Sequence, residues 1–339
     1  MNKELIVKEG KSTRTLWVDA LKGFLIIVVV LGHALQLTIG EDCFDNHLLN
    51  IICSFQMPVF VAVSGFLNYR VTQRPFKNRL NRRALQLLVP FFIWSVIQFV
   101  LDRVYTLDTF CSIVLFPDRY FWFLWVLFFI YLLFNICDWF AKRTCIKQEV
   151  IMLLSCVILS AIMVVFEFRY FGFQFIAYYF LFYVIGYYLN KYNKILNINN
   201  AFVFLLIIIW LSLAWFWRID AAPAFLSFLP LPAAIILYSY KFVVALLATL
   251  LAIVVFSRFR KENGVLLKLA QIGEISLGIY VFHRLTMKYL LQLLRELIPN
   301  CPDYLMIITL FVISVVLSVI VVKIINKNRI ASKYLLGKV

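Results

Sequence analysis

The chain has 339 residues, 64% of them hydrophobic and 15% charged, with a formal net charge of +16. A soluble domain of this size cannot bury that much apolar surface, which excludes a large soluble enzyme and points to a protein crossing a membrane many times. The positive charge sits in short connections between apolar runs, an arrangement that argues for membrane topology and against nucleic acid. Seven cysteines lie scattered without a CxxC pair and there are only three His, so neither a zinc site nor a redox motif is indicated.

The first apolar run, Leu16 to Ile39, reads LWVDALKGFLIIVVVLGHALQLTI and is long enough to span a hydrocarbon core of about 30 Å. It is too long for a cleavable leader and is expected to stay in the mature protein. At 100° per residue Lys22 and His33 share one line of the helix, with Asp19 and Gln36 within roughly 60° of it. His33 stands about 16 Å beyond Lys22 along the axis. Ionisable groups at such depth cost about 2.5–3.5 kcal/mol each and face a protein interior or a wet cavity. Two readings stay open: a polar packing stripe neutralised by an Asp19–Lys22 pair, or a functional site built on an imidazole able to exchange protons near neutral pH.

Ten spans are predicted, at 16–39, 48–69, 84–101, 121–140, 149–166, 171–189, 200–217, 237–257, 271–291 and 304–325, making an all-α polytopic bundle in a single domain over 1–339. The connections alternate between basic and nearly neutral. The predicted outer loops hold Arg103, Arg119, Arg169, Arg218 and Arg295, whereas most of the 33 Lys and Arg fall on the other side or in the tails. Both termini are therefore expected in the cytoplasm. Cys43 and Cys301 fall in predicted outer loops, where they can pair. Between Arg218 and Phe242, Pro223, Pro230 and Pro232 are too many for a regular span, so a re-entrant or surface-lying segment is expected there.

Four constellations carry possible chemistry. The first is the stripe of span one, with Arg14 just before it. The second is FQMPVFVAVSGF, residues 55–66, followed by Arg70, Arg74, Lys77, Arg79, Arg82 and Arg83. Arg suits bidentate phosphate binding, and inside-positive topology with contact to anionic lipids accounts for the same charges. The third is DRYFWFLWVLF, residues 118–128, where Trp122 and Trp125 read either as an interfacial aromatic belt or as rings that stack on a glycan. The fourth is IGEISLGIYVFH, residues 272–283, whose Ser276, Tyr280 and His283 are spaced four and three apart on one helical face. His283 and His33 are expected at similar depths.

These elements, DALKGFLIIVVVLGH, FQMPVFVAVSGF, the basic loop running into LLVPFFIW, WFLW and IGEISLGIYVFH, resemble the membrane-bound acyltransferase-3 family, which O-acylates cell-surface and secreted carbohydrates. They occur in the family's order over essentially the whole chain, and the family's ten-helix domain agrees with the span count. Two departures stand out. Lys22 occupies a position where the family usually has Arg, as in the branch resembling fucose-4-O-acetylases, and Gln56 replaces the His of FHMP. Lys22 keeps the charge without the fork, which suits it to an orienting or electrostatic role in a catalytic set with His33, Asp19 and His283, and Gln56 can position a substrate but cannot act as a base. No soluble esterase-like domain is seen alongside the bundle.

The resemblance implies an acyl-coenzyme A donor, acetyl-CoA first, bound from the cytoplasm, and a glycan or glycolipid acceptor, with no metal. On that footing Arg14, Arg79, Arg82 and Arg83 are candidates for the donor's phosphates. His33 is the candidate base, worth roughly 10²- to 10⁴-fold, and Asp19 pairs with Lys22 or Arg14. Ser276, Tyr280 and His283 are placed to stabilise the thioester oxyanion or orient the acceptor, with Gln56, Trp122 and Trp125 on the acceptor side. Direct transfer and an acyl-histidine intermediate both stay open. The reading from another class is a transporter that flips a lipid-linked sugar or exports a polysaccharide along the same stripe. The expected location is the bacterial inner membrane.

Overall fold

The computed structural model describes residues 6–7, 14–69, 76–103, 106–166, 168–192, 198–259 and 264–338. Two short strands, β1 (Ile6–Val7) and β2 (Arg14–Thr15), pair antiparallel ahead of the helices. The helices begin with α1 (Leu16–Ile39), α2 (His47–Tyr69), α3 (Phe76–Leu101), α4 (Leu107–Leu115), α5 (Trp122–Arg143), α6 (Gln148–Phe166) and α7 (Phe173–Lys191). They continue with α8 (Asn200–Trp215), α9 (Ala233–Ser257), α10 (Gly264–Glu274), α11 (Ser276–Leu297), α12 (Asp303–Ile325) and α13 (Arg329–Leu335). Among the described residues, 8 helices are long and apolar enough to cross a membrane. Helices α6, α8 and α12 turn large apolar side chains outward, Leu153, Phe204 and Ile308 among them, as lipid-facing surfaces do. The chain is a polytopic helical membrane bundle.

Two predicted spans take a different form. The run 271–291 is not one straight helix: α10 and α11 meet at Ile275 with a bend of 74°. Ile275 leaves helical geometry at φ −106°, ψ 10°, between Gly273 and Ser276, a pairing that commonly marks kinks. The run 200–217 yields α8, 16 residues long, or about 24 Å, short of a full hydrocarbon core. The proline-rich segment after Arg218 is an irregular, exposed connection with one 3₁₀ turn at Ala224–Leu226, and it leads into α9 at Ala233. Arg218 ties this connection to Asp45 at 2.7 Å, and Lys241 donates to the Ile219 carbonyl at 2.5 Å. Cys43 and Cys301 are both free thiols, so the pairing that loop placement allowed is not made.

The chain forms two compact units, residues 1–63 with 194–323 and residues 64–193 with 324–339. In the first, α1 and α10 cross backbone to backbone. A methyl group on Gly23 would fall 1.9 Å from the Leu269 carbonyl oxygen, and one on Gly273 would fall 1.8 Å from that of Asp19. Small residues at a crossing let helices approach this closely where lipid offers no hydrophobic drive for association. Ala20, Leu266 and Ala270 bury themselves beside the crossing, with Leu16, Phe256 and Leu269 around them. Farther along α1, Leu35, Cys43, Leu49 and Ile52 form a second buried cluster with α2.

In the second unit, Gly65 near the end of α2 presses on α7, where a methyl would stand 2.0 Å from the Tyr183 carbonyl oxygen. Asn190 of α7 donates to the Phe66 carbonyl at 2.6 Å, closing the same contact. The indole N–H of Trp94 on α3 donates to the Leu335 carbonyl at 2.8 Å and so holds α13.

Candidate functional site

In the first unit the α1–α10 crossing and the bend at Ile275 set the course of α11, and two imidazoles meet between α1 and α11. The rings of His33 and His283 lie 5.1 Å apart, centroid to centroid, at 38°. His283, 1% exposed, bonds through Nδ1 to the Ile279 carbonyl at 2.9 Å. A carbonyl only accepts, so the proton is on Nδ1 and Nε2 keeps a lone pair. That Nε2 is buried without a hydrogen-bond partner among the described residues. His33 bonds through Nδ1 to the amide oxygen of Gln36, one turn on, at 3.1 Å, which favours the same tautomer.

Gln56, on α2, lies against α1 one residue before His33. Its Oε1 is buried without a hydrogen-bond partner among the described residues and lies 3.7 Å from where a methyl on Gly32 would stand. Tyr280 packs its ring 6.0 Å from that of His283. Ser276 is the first residue of α11, at the bend. The structure thus brings together His33, Gln36, Tyr280 and His283, with Ser276 one turn before Tyr280 and Gln56 set against Gly32, the residue before His33. Chemically, the cluster offers proton acceptors whose tautomers are set by neighbouring carbonyl oxygens, beside buried polar atoms with unused hydrogen-bonding capacity.

Lys22 and Asp19 are elsewhere on α1. They form an ion pair at 2.6 Å, partly buried, about three turns from His33 and at the glycine crossing with α10. Of Arg14 only the backbone, in β2, is described.

The remaining candidates belong to the second unit. Arg79, 6% exposed, is turned inward and donates to Asn135 Oδ1 at 3.0 Å, while Asn135 donates to the Tyr131 carbonyl at 2.7 Å. Arg83 lies over the Tyr131 ring at 5.4 Å and donates to Gln86 at 3.3 Å. Arg82 is half-buried on the same helix. Tyr183, within electrostatic reach of Arg79 and Arg83, has a buried hydroxyl without a hydrogen-bond partner among the described residues, as has Tyr131. Arg70 and Arg74 lie outside the described residues. Trp122 stacks on Phe175 at 4.7 Å and on Tyr179 at 5.8 Å. Trp125 packs against Phe91 and Phe129 and donates its N–H to the Phe171 carbonyl at 2.9 Å. Protein rings therefore occupy much of the faces of both indoles.

Sequence reasoning passed over Arg284, which follows His283 directly and is within electrostatic reach of both imidazoles. Its signal was a charge inside a predicted span. Asn135, Tyr131 and Tyr183 were missed as well, because nothing local marks a polar residue in an aromatic-rich helix as the partner of a distant Arg.

The nodulation protein NolL of Mesorhizobium japonicum is 30% identical to this chain over 143 residues, 39% of this chain and 38% of that protein. The nodulation protein NolL of Sinorhizobium fredii is 40% identical over 93 residues, 26% of this chain and 25% of that protein. The matched stretches span well under half the length of either relative. No solved structure matches the chain. The acyltransferase domain family matches residues 15–326, nearly the whole bundle. On that match the chain belongs to the acyltransferase-3 family.

Proposed function

We propose that this protein is an integral membrane O-acyltransferase of the bacterial cytoplasmic membrane. It moves a short acyl group, acetyl foremost, from acyl-coenzyme A to a hydroxyl of a cell-surface glycan or glycolipid. It works as one acyltransferase domain over the whole chain, with both termini in the cytoplasm. The observation that carries this reading is the pair of imidazoles at 5.1 Å inside the bundle, with His283 held by a carbonyl in the tautomer whose Nε2 can accept a proton.

In this reading His33 takes the proton of the acceptor hydroxyl as that oxygen attacks the thioester, and His283 stands beside it as a second acceptor or orienting group. Gln56, Ser276 and Tyr280 position the acceptor through the hydrogen-bonding capacity they present there. Lys22 and Asp19, about 16 Å and about 21 Å along the helix from His33, act by holding α1 rather than by touching substrate. Arg82 and Arg83 are the side chains assigned to the donor's phosphates, and Arg14 is a separate candidate for the same role. Arg79 supports that set from its buried bond to Asn135. Trp122 and Trp125, already engaged by protein rings, shape a wall of the second unit.

The test is mass spectrometry of surface glycans from cells expressing wild type or His33→Ala at matched membrane levels. The expected result is a mass increment of one acetyl group present in the first and lost in the second. Equal acylation in both, with surface polymer lost in the mutant, would replace the enzyme by a transporter.

A further inference from the structure

Helix α11 brings a permanent charge to the imidazole pair. Ser276, Tyr280 and Arg284 are spaced four residues apart, so they drift by only about 40° per step and climb one face of α11. Arg284 stands about 12 Å up that face and one residue beyond His283. It is half-buried. It shares that face with Tyr280, whose ring packs 6.0 Å from that of His283, and it follows His283 directly in the chain. Among the described residues no carboxylate pairs with it. Asp19, the acid on α1, is occupied by Lys22 at 2.6 Å. The other side chains of the cluster are two imidazoles, two amides, a phenol and a hydroxyl. Arg284 is therefore a half-buried cation beside the imidazole pair, without a carboxylate partner among the described residues.

We propose that the counter-charge arises during the reaction, and that Arg284 holds the oxyanion formed on the thioester carbonyl. This rests on the acyl-transfer reading. A neutral hydroxyl and a neutral thioester carbonyl enter the site. As the hydroxyl oxygen bonds to the carbonyl carbon, its proton passes to an imidazole Nε2 and the π pair of the C=O moves onto oxygen, opposite the guanidinium. Collapse re-forms the C=O and breaks the C–S bond, and the imidazolium returns the proton to the departing thiolate. An ester and a free thiol result. Because the negative charge exists only between these two events, Arg284 binds the transition state better than the substrates, and its contribution belongs in kcat.

The experiment follows thiol release by the full-length protein in nanodiscs, with acetyl-CoA as donor and deacylated surface glycan from the expressing cells as acceptor. R284Q and R284A are expected to lose roughly 10²- to 10³-fold in kcat, with both KM values within about twofold of wild type and unchanged melting behaviour. Added guanidinium ion should restore R284A but not His33→Ala. R284K, which keeps the charge without the fork, is expected to fall between. If R284Q and R284A do not accumulate in membranes, R284K decides the matter: lower kcat at unchanged KM supports the assignment. Wild-type kcat in R284Q overturns it. A raised acceptor KM at unchanged kcat also overturns it, by making Arg284 an anchor for an anionic group on the acceptor. A wild type that transfers nothing sinks the acyl-transfer reading itself, whereas an active wild type with an indifferent R284Q sinks only this assignment.

Discussion

The imidazole of His283 donates through Nδ1 to the Ile279 carbonyl at 2.9 Å and in that pose faces His33, ring to ring, at 5.1 Å. Two groups so close act as a unit. His33→Ala and His283→Ala are each expected to cost between about 10²- and 10⁴-fold in transfer rate. The double variant should be little worse than the more damaged single one. Initial rates in membranes with matched protein levels measure both; fully multiplicative losses would mean that the rings work independently.

Gln36 should matter through His33 alone. Its amide oxygen accepts from His33 Nδ1 at 3.1 Å, so Gln36→Leu frees the ring to change tautomer. The expected loss is roughly tenfold in kcat with unchanged KM, within the range of general-base contributions. Steady-state kinetics on the purified variant would show it.

Asp19 and Lys22 invite a double-mutant cycle. Removing one partner leaves the other as an uncompensated charge in the bundle, whereas removing both leaves neither. Asp19→Asn and Lys22→Gln should each lower thermal stability in detergent. The double variant should recover part of the loss, with a coupling of about 0.5–3 kcal/mol. Strict additivity would mean that the 2.6 Å contact carries no net energy.

The arginines of α3 should separate by phenotype. Arg79→Met strands the Asn135 oxygen in the interior, at about 1–3 kcal/mol, and should show as a lower melting temperature. Arg82→Gln and Arg83→Gln should raise the apparent KM for the donor with little change in stability. Donor kinetics unmoved by either would return these two cations to topology alone.

Gly65→Ala should be destabilising out of proportion to one methyl, because its Cβ would stand 2.0 Å from the Tyr183 carbonyl oxygen. Overpacking of this kind costs roughly 1–3 kcal/mol. A melting curve matching wild type would show that α2 and α7 part without penalty.

What the chain discloses without coordinates follows from the range of each interaction. The Asp19–Lys22 pair is a local matter of i,i+3 spacing and was readable directly. So was the polar line from Lys22 to His33, because helical periodicity holds over a straight α1. The break at Ile275 was not readable from an apolar run. Its neighbour Gly273 is pinned against the Asp19 carbonyl by a chain segment some 250 residues away. Trp122 and Trp125 could not be told from carbohydrate-stacking rings, since Phe175, Tyr179 and Phe91, which cover them, come from other helices. Arg79 looked like a member of an open basic cluster until Asn135, 56 positions on, met it.

The glycine crossing also makes α1 a lever. Gly23, at the fulcrum, is ten residues from His33, an arm of about 15 Å, so prying the helices apart there by a few degrees of tilt carries the imidazole sideways by about 1 Å. A displacement of that size can cost roughly 100-fold in rate even when it arises far from the chemistry. Saturation mutagenesis scored on glycan acylation should therefore find Gly23 and Gly273 nearly as intolerant as the histidines, although neither glycine has a side chain to offer a substrate.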